Sequence, residues 1–547
     1  MPSTTVFATR IVHTLDPAAP SAPAVAVRDG RVLAVGHADT QAAAYDGRVD
    51  DRFADRVLLP GFVEAHSHAL EGAVWEFPYV GYFPRTDPDG REWPGCRSIA
   101  DVLDRLAALD AEIDDPDEAL LAWGLDPIYF PGERLVAAHL DRVSTSRPIF
   151  VIHASFHLAT VNSALMRAAG IGPDTQAEGV PKGGDGNPIG ELREPAAMAL
   201  AGEPMLRFFS SVGTADSIRR LGHLARRAGV TTLTDLGNGA VARADAVDLL
   251  LGVTGEQDFP ARLSVFVMPG FAGGDPAAAA ARLEDLRARS TDRLRFGHAK
   301  LVLDGSIQGY TARLRWPGYY GGEPNGIWVL PPEQVEPQLA AFHTAGATVH
   351  VHCNGDEAVD VLLDAVEAVL AAHPRVDHRH TVQHCQLASP GQLRRMKALG
   401  MCANLFANHL YYWGDQHASL TVGPDRAARM NAAATALRIG VPLSIHCDAA
   451  VTPLGSLHVA WCAVNRVTAS GEVLGPHERI SVVDALHAVT LGAAYQLKLD
   501  DEIGSIAPGK RADFAVLDDD PFLVDPMALK DVPVVGTVLG GVPFVDD

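Results

Sequence analysis

Leu58-Leu59-Pro60-Gly61-Phe62-Val63-Glu64-Ala65-His66-Ser67-His68 decides how the rest of the chain is read. It is a short apolar run that ends in two histidines one residue apart. Side chains on a strand alternate between faces, so His66 and His68 leave its C-terminal end in the same direction. Two imidazoles so placed can hold one cation of the Zn²⁺ type with little rearrangement. A lone His-x-His carries little information, because surface and core histidines are common. The strand ends that follow give this one its weight.

Downstream, short apolar runs alternate with helical patterns, the mark of a parallel α/β architecture. Eight candidate strands are read at 59–66, 230–236, 262–268, 296–303, 347–353, 379–385, 400–406 and 441–447. Helical segments such as 276–290, 332–345, 356–372 and 426–439 separate them. The pattern suggests a (β/α)8 TIM barrel, whose active sites sit at the C-terminal ends of the strands.

Residues 5–58 hold β-type runs at 6–12, 24–27 and 31–36, the last two joined by a turn at Asp29-Gly30. The same texture returns at 513–517 and 534–545. Neither end alone has enough strands for a core. Both termini are therefore expected to form one small β-sandwich domain, 1–58 with 502–547, beside a barrel of 59–69 and 211–501. The interval 70–210 is too long for a single βα connection and reads as an inserted subdomain or lid after strand 1. Its Trp75, Tyr79, Tyr82, Phe83, Trp93, Trp123, Tyr129 and Phe130 could line a pocket, but aromatic residues more often fill an insertion's own core.

With 547 residues, 47% hydrophobic and 20% charged, the chain has the composition of a soluble globular protein. No apolar run approaches the roughly 20 residues of a membrane span. Met1-Pro2-Ser3-Thr4-Thr5 has no signal-peptide character. A net charge of −22 argues against a nucleic-acid or anionic-membrane surface. Six widely spaced cysteines without a CxxC pair read as reduced packing residues of a cytoplasmic protein. Lysine occurs at only six positions, so one inside an apolar strand stands out.

That lysine is Lys300, in Phe296-Gly297-His298-Ala299-Lys300-Leu301-Val302-Leu303-Asp304-Gly305-Ser306. Facing an interior, it must be paired, deprotonated or modified. Carboxylation by CO₂ would make it a carbamate able to bridge two metals; an amphipathic lysine reaching solvent is the other reading. His350 and His352 form a second same-face pair, His384 ends the sixth strand and Asp448 ends the eighth. Taken singly, His384 could be a satisfied core histidine and Asp448 an N-cap.

Strand ends 1, 4, 5, 6 and 8 thus offer His66, His68, Lys300, His352, His384 and Asp448. This set resembles the amidohydrolase superfamily of metal-dependent hydrolases on (β/α)8 barrels. Pro60-Gly61-Phe62, Lys300 through Asp304-Gly305-Ser306, His352-Cys353-Asn354-Gly355-Asp356 and Gly504-Ser505-Ile506-Ala507-Pro508-Gly509-Lys510-Arg511-Ala512-Asp513 are similar to amidohydrolase family 3. Asp304-Gly305-Ser306-Ile307-Gln308-Gly309-Tyr310-Thr311 and His409-Leu410-Tyr411-Tyr412-Trp413-Gly414-Asp415-Gln416-His417 resemble the branch containing N-substituted formamide deformylases.

The resemblance implies that the six residues form a metal shell for one or two divalent ions, zinc first, with Lys300 N-carboxylated where it bridges two. His350 is the less secure partner of His352. His157, in Ala154-Ser155-Phe156-His157, resembles a histidine that the family's insertion sends toward the site. With Asp304, His409, Tyr412 and Trp413 it makes up the expected substrate contacts. In the implied chemistry the ion acidifies a water to a pKa of roughly 7. Asp448 takes the proton and returns it to the leaving nitrogen, while the ion and His384, or His409 or His417, stabilise the oxyanion. The catalytic set is then Asp448, His384 and Lys300.

The expected function is hydrolysis of a C–N amide-type bond in a small molecule, whether N-substituted formamide, N-acyl amine or cyclic amide. No nucleic acid or membrane partner is expected, and a homodimer is the quaternary state considered. A deaminase on the same barrel is the first alternative; its usual strand-five Glu is matched here only by Asp356-Glu357 beyond Asn354-Gly355. An ester or lactone hydrolase, and a scaffold that has lost its metal, are the others. The intact ligand set argues against the scaffold.

Overall fold

Eight parallel strands lie side by side in one curled sheet: β1 (Phe62–Val63), β2 (Val230–Leu236), β3 (Arg262–Val267), β4 (Leu294–Val302), β5 (Thr348–Cys353), β6 (Thr381–His384), β7 (Cys402–Leu405) and β8 (Leu443–Ile445). The computed structural model describes residues 4–130, 132, 134–269 and 274–545. The strands pair in chain order from β1 to β8. The two edges meet where Ser67 bridges Ala449 and the His68 N–H donates to the Ala449 carbonyl at 2.7 Å. This is a TIM-like α/β architecture. Its strands are buried on both faces, which is why they read as nearly continuous apolar runs.

Helices fill the connections, and their ends follow local chemistry. Pro390–Leu399 starts with a Ser389–Gln392 capping box and stops at Gly400, whose φ of 72° is left-handed. Pro276–Arg287, Pro332–Thr344 and Asp356–Ala372 occupy the helical segments read from sequence. The segment 426–439 does not run through. It splits into Pro424–Ala427 and Ala433–Ile439, because Asn431 is left-handed and its N–H donates to the Gln386 carbonyl. The buried Arg466 guanidinium bonds the Met430 and Asn431 carbonyls and holds the break open.

Both termini contribute to a single seven-stranded sheet, in the order Val542–Val545, Val534–Leu539, Phe514–Leu517, Gly47–Pro60, Thr4–His13, Ser21–Arg28, Arg31–Gly36. Asp29 and Gly30, both at positive φ, turn the last hairpin. Gly47–Pro60 escapes the sequence reading because its charged first half lacks an apolar pattern; it lies mid-sheet between Thr4–His13 and Phe514–Leu517. Its end corrects the extent of the first central strand. Leu58, Leu59 and Pro60 pair with Val516, Ala515 and Phe514, so the chain enters the central sheet only beyond Gly61.

The 70–210 interval carries its own four-stranded sheet, Glu191–Arg193, Leu158–Val161, Ile149–His153 and Leu120–Leu125. Trp123, Phe150 and Phe208 are fully buried in its core. Trp75 and Tyr79 pack on Trp123, which makes these three part of the segment's own core. All six cysteines are buried and unpaired. Among the described residues no helix is long and apolar enough to cross a membrane.

Candidate metal centre

The C-terminal ends of β1, β4, β5, β6 and β8 bring His66, His68, Lys300, His352, His384 and Asp448 together. His66 Nε2 and His68 Nε2 lie 3.4 and 3.3 Å from Asp448 Oδ1. Lys300 Nζ is 3.3 Å from His66 Nε2. His384 Nε2 is 2.9 Å from His352 Nδ1, and His384 Nδ1 is 3.7 Å from Asp448 Oδ2. All are buried except His68, whose side chain is 31% exposed and marks the open side.

Burial sets the charge states. It drives the His66, His352 and His384 imidazoles well below their usual range, toward the neutral form that ligates cations. It pushes the Lys300 ammonium down to about 7 against the pull of Asp448. Burial would raise the Asp448 carboxyl, but contact with His68 and the charges of His446 and Lys300 hold it below the usual carboxylate range. Asp448 Oδ1 and His384 Nδ1 are buried with no hydrogen-bond partner among the described residues. Neutral imidazoles and an ionised carboxylate with open lone pairs are the donors a zinc-type ion takes, so these residues fit such an ion.

Several groups that hold the donors were not singled out in the sequence. Gln383 Oε1 accepts from His66 Nδ1 at 2.6 Å, which turns Nε2 toward the centre, and Asn404 fixes the amide from behind. Glu64 ties β1 to β8: it accepts from the His66 N–H at 3.1 Å and from the Cys447 thiol at 2.9 Å, and burial pushes its carboxyl up to about 8. His352 Nε2 faces the Gly305 carbonyl at 3.3 Å, leaving Nδ1 for His384. His350 sits deeper, its Nδ1 2.7 Å from Gln383 Nε2. The only sequence signal for Gln383 was its place one residue before His384.

Asp304, an expected substrate contact, is held by backbone N–H groups. It is fully buried, and its two oxygens accept the backbone N–H groups of Arg313, Asn354 and Gly355 at 2.8–3.0 Å. It braces the loop after β4 against the end of β5. His409 is held by side chains: its nitrogens face Gln308 at 3.2 Å and His417 at 3.1 Å, and His417 bonds Thr421 at 2.8 Å. In both rings each nitrogen has a side-chain partner among the described residues.

The insertion delivers His157 beside the centre, its ring 5.3 Å from that of His352. Its Nδ1 is 2.7 Å from Glu194 Oε2; burial would lower the imidazole, but the Glu194 charge and hydrogen bond raise it. Glu194 was missed by the sequence reading, and its second oxygen is buried without a partner among the described residues. Gly305 must be glycine here, because a Cβ would strike Glu194 Oε1 and Thr311 Oγ1. Tyr412 and Trp413 line a cleft with Tyr82, Phe83, Tyr129 and Val451. Trp413 is also an anchor, donating from Nε1 to Asp126 Oδ2 at 2.8 Å.

A profile of the amidohydrolase family matches residues 54–545. The chain belongs to amidohydrolase family 3. Across 97% of its length it is 28% identical to the protein LONG AFTER FAR-RED 3 of Arabidopsis thaliana, covering 89% of that protein. It is 26% identical to the N-substituted formamide deformylase of Arthrobacter pascens, over 97% of this chain and 96% of that one. The crystal structure of an uncharacterized metal-dependent hydrolase from Pyrococcus horikoshii superposes with a TM-score of 0.70 at 20% identity, over 96% of this chain and 99% of the other, a likeness of fold.

Proposed function

We propose that the protein is a zinc-dependent hydrolase of a C–N amide-type bond in a small molecule, an N-substituted formamide, N-acyl amine or cyclic amide. The observation that carries this reading is the convergence of His66, His68, Lys300, His352, His384 and Asp448 on one buried, open-sided point. A divalent ion held there would supply Lewis acidity and an acidified water. Asp448, ionised and with one unpartnered oxygen, takes the proton and hands it to the departing nitrogen. Lys300, about half neutral near pH 7, is in the state from which an amine adds CO₂ to become a carbamate, releasing one proton. The His157 ring, held by Glu194, faces the substrate's carbonyl side, and Tyr412 packs against its nitrogen substituent.

In this reading residues 61–69 and 211–501 form the (β/α)8 barrel and 70–210 the lid, while 1–60 with 502–547 form the terminal domain, built on one seven-stranded sheet where a sandwich was expected. The cleft at Tyr82, Phe83, Tyr129 and Tyr412 lies where lid and barrel loop meet. Exposed Trp316 and Tyr320 give a second copy of the chain a surface to pack on. Six reduced thiols suit the cytoplasm.

Hydrolytic deamination is a second reading, and Glu194 favours it by adding a buried carboxyl beside His157. A hydrolysis screen of the zinc-loaded enzyme on N-formyl amines, N-acyl amines, cyclic amides and amino-substituted heterocycles separates the two. Turnover confined to amides supports the proposal; turnover confined to the heterocycles, with ammonia released, replaces it.

A further inference from the structure

His446 lies two residues before Asp448 and is completely buried. Its ring is clamped between two others. His66 stacks on it with centroids 4.6 Å apart and an interplanar angle of 19°, and Phe406 stacks at 4.8 Å and 28°. The clamp fixes where the ring edge points, with the His384 ring 5.1 Å away. Among the described residues neither His446 nitrogen has a hydrogen-bond partner. A neutral imidazole always carries one N–H donor and one lone pair, and buried polar atoms are nearly always satisfied. The neighbouring histidines differ: His66 uses Nδ1 on Gln383, and His352 uses Nε2 on Gly305. One ligating nitrogen each from His66, His384 and His446 falls within 4.8 Å of the others.

We propose that His446 is a further ion ligand of the centre, forming with His66 and His384 an all-imidazole seat beside the His66, His68 and Asp448 seat. The proposal rests on the metal-dependent reading above, and it adds a donor from β8 to the six residues already assigned. His66 belongs to both seats, so an ion at either is held against the same fixed ring.

The test uses the full chain stripped by a chelator and reloaded with Co²⁺ or Zn²⁺. His446→Phe keeps the aromatic stack between His66 and Phe406 and removes both nitrogens; His446→Gln keeps polarity and shortens the ring. Two readouts besides activity are taken: the visible ligand-field spectrum of the Co²⁺ form, and Zn²⁺ affinity by competition with a chromophoric chelator. The expected result is a changed Co²⁺ spectrum and Zn²⁺ affinity weakened by at least about tenfold in His446→Phe. A parent-like spectrum and affinity in a folded His446→Phe overturn the proposal while leaving the enzyme reading in place. If His446→Phe fails to fold, His446→Gln decides by the same two readouts. A parent chain that takes up neither ion overturns both.

Discussion

The donors on the strand ends and the side chains that the 70–210 segment brings beside them are held in different ways. His66, His384 and Asp448 stand at the ends of the central strands; Gln383, backed by Asn404, and Glu64 hold His66, and Glu64 also takes the thiol of Cys447 beside Asp448. His157 and Asp126 belong to a segment with its own sheet and its own core. Asp126 reaches the barrel loop through one bond to Trp413 and Tyr129 through one to the Tyr412 carbonyl. The strand ends therefore fix reacting atoms relative to one another, while the insertion meets them from a separate sheet across a cleft. Chemistry should reside in the first set, and binding and selectivity in the second.

That division can be broken by substitution, and the largest effect belongs to the strand ends. Asp448→Asn keeps the shape and removes the proton acceptor. Turnover is expected to fall about 10³-fold or more with the fold intact by circular dichroism, since proton transfer by a placed group contributes roughly 10²–10⁴. Near-parental kcat would remove Asp448 from the proton-transfer role. The next effect is on the insertion side. Glu194→Gln leaves a hydrogen-bond acceptor but removes the charge that favours the His157 imidazolium. A loss of about tenfold in kcat/KM, carried mainly by KM, is expected. A loss carried by kcat alone would move this pair into the chemical step and blur the division.

The smallest effect concerns the tie between the two regions. Burial pushes the Asp126 carboxyl from 3.8 up to about 6. Between those values the folded state holds a proton the unfolded chain has lost, so its contribution to stability is full below about 3.8 and lost as pH rises through about 6. Asp126→Asn keeps an acceptor for Trp413 without the charge. Its apparent Tm should exceed the parent's by about 1–3 °C above pH 7 and converge on it toward pH 4. A Tm below the parent's at every pH would mean that the carboxylate itself holds the tie.

The sequence was legible where one physical rule acted alone. Apolar runs located all eight strands, the first with its start set too early, and the His-x-His spacing, Lys300 and Asp448 marked the strand ends that converge. It was illegible where partners come from distant segments. Glu194 earns its place only because the insertion folds back on His157, and Glu64 looks like any strand residue until Cys447 closes on it. The partners of Asp304 and His409 were hidden for a related reason. Motif position cannot tell a group facing substrate from one turned onto backbone amides or a neighbouring ring. His446 was readable in principle, by the same i, i+2 spacing used for His66 and His68.

The strand-end donors are expected to hold an ion without which the chain does not hydrolyse amides. Titrating the ion-free enzyme with Zn²⁺, while following hydrolysis of an N-substituted formamide and counting bound metal in the same samples, tests it most directly. Hydrolysis should be absent at the start, rise with bound zinc and level off at a whole number of ions per chain, with Asp448→Asn staying inactive throughout. Full amide hydrolysis by the ion-free chain, unchanged as zinc is added, would contradict it.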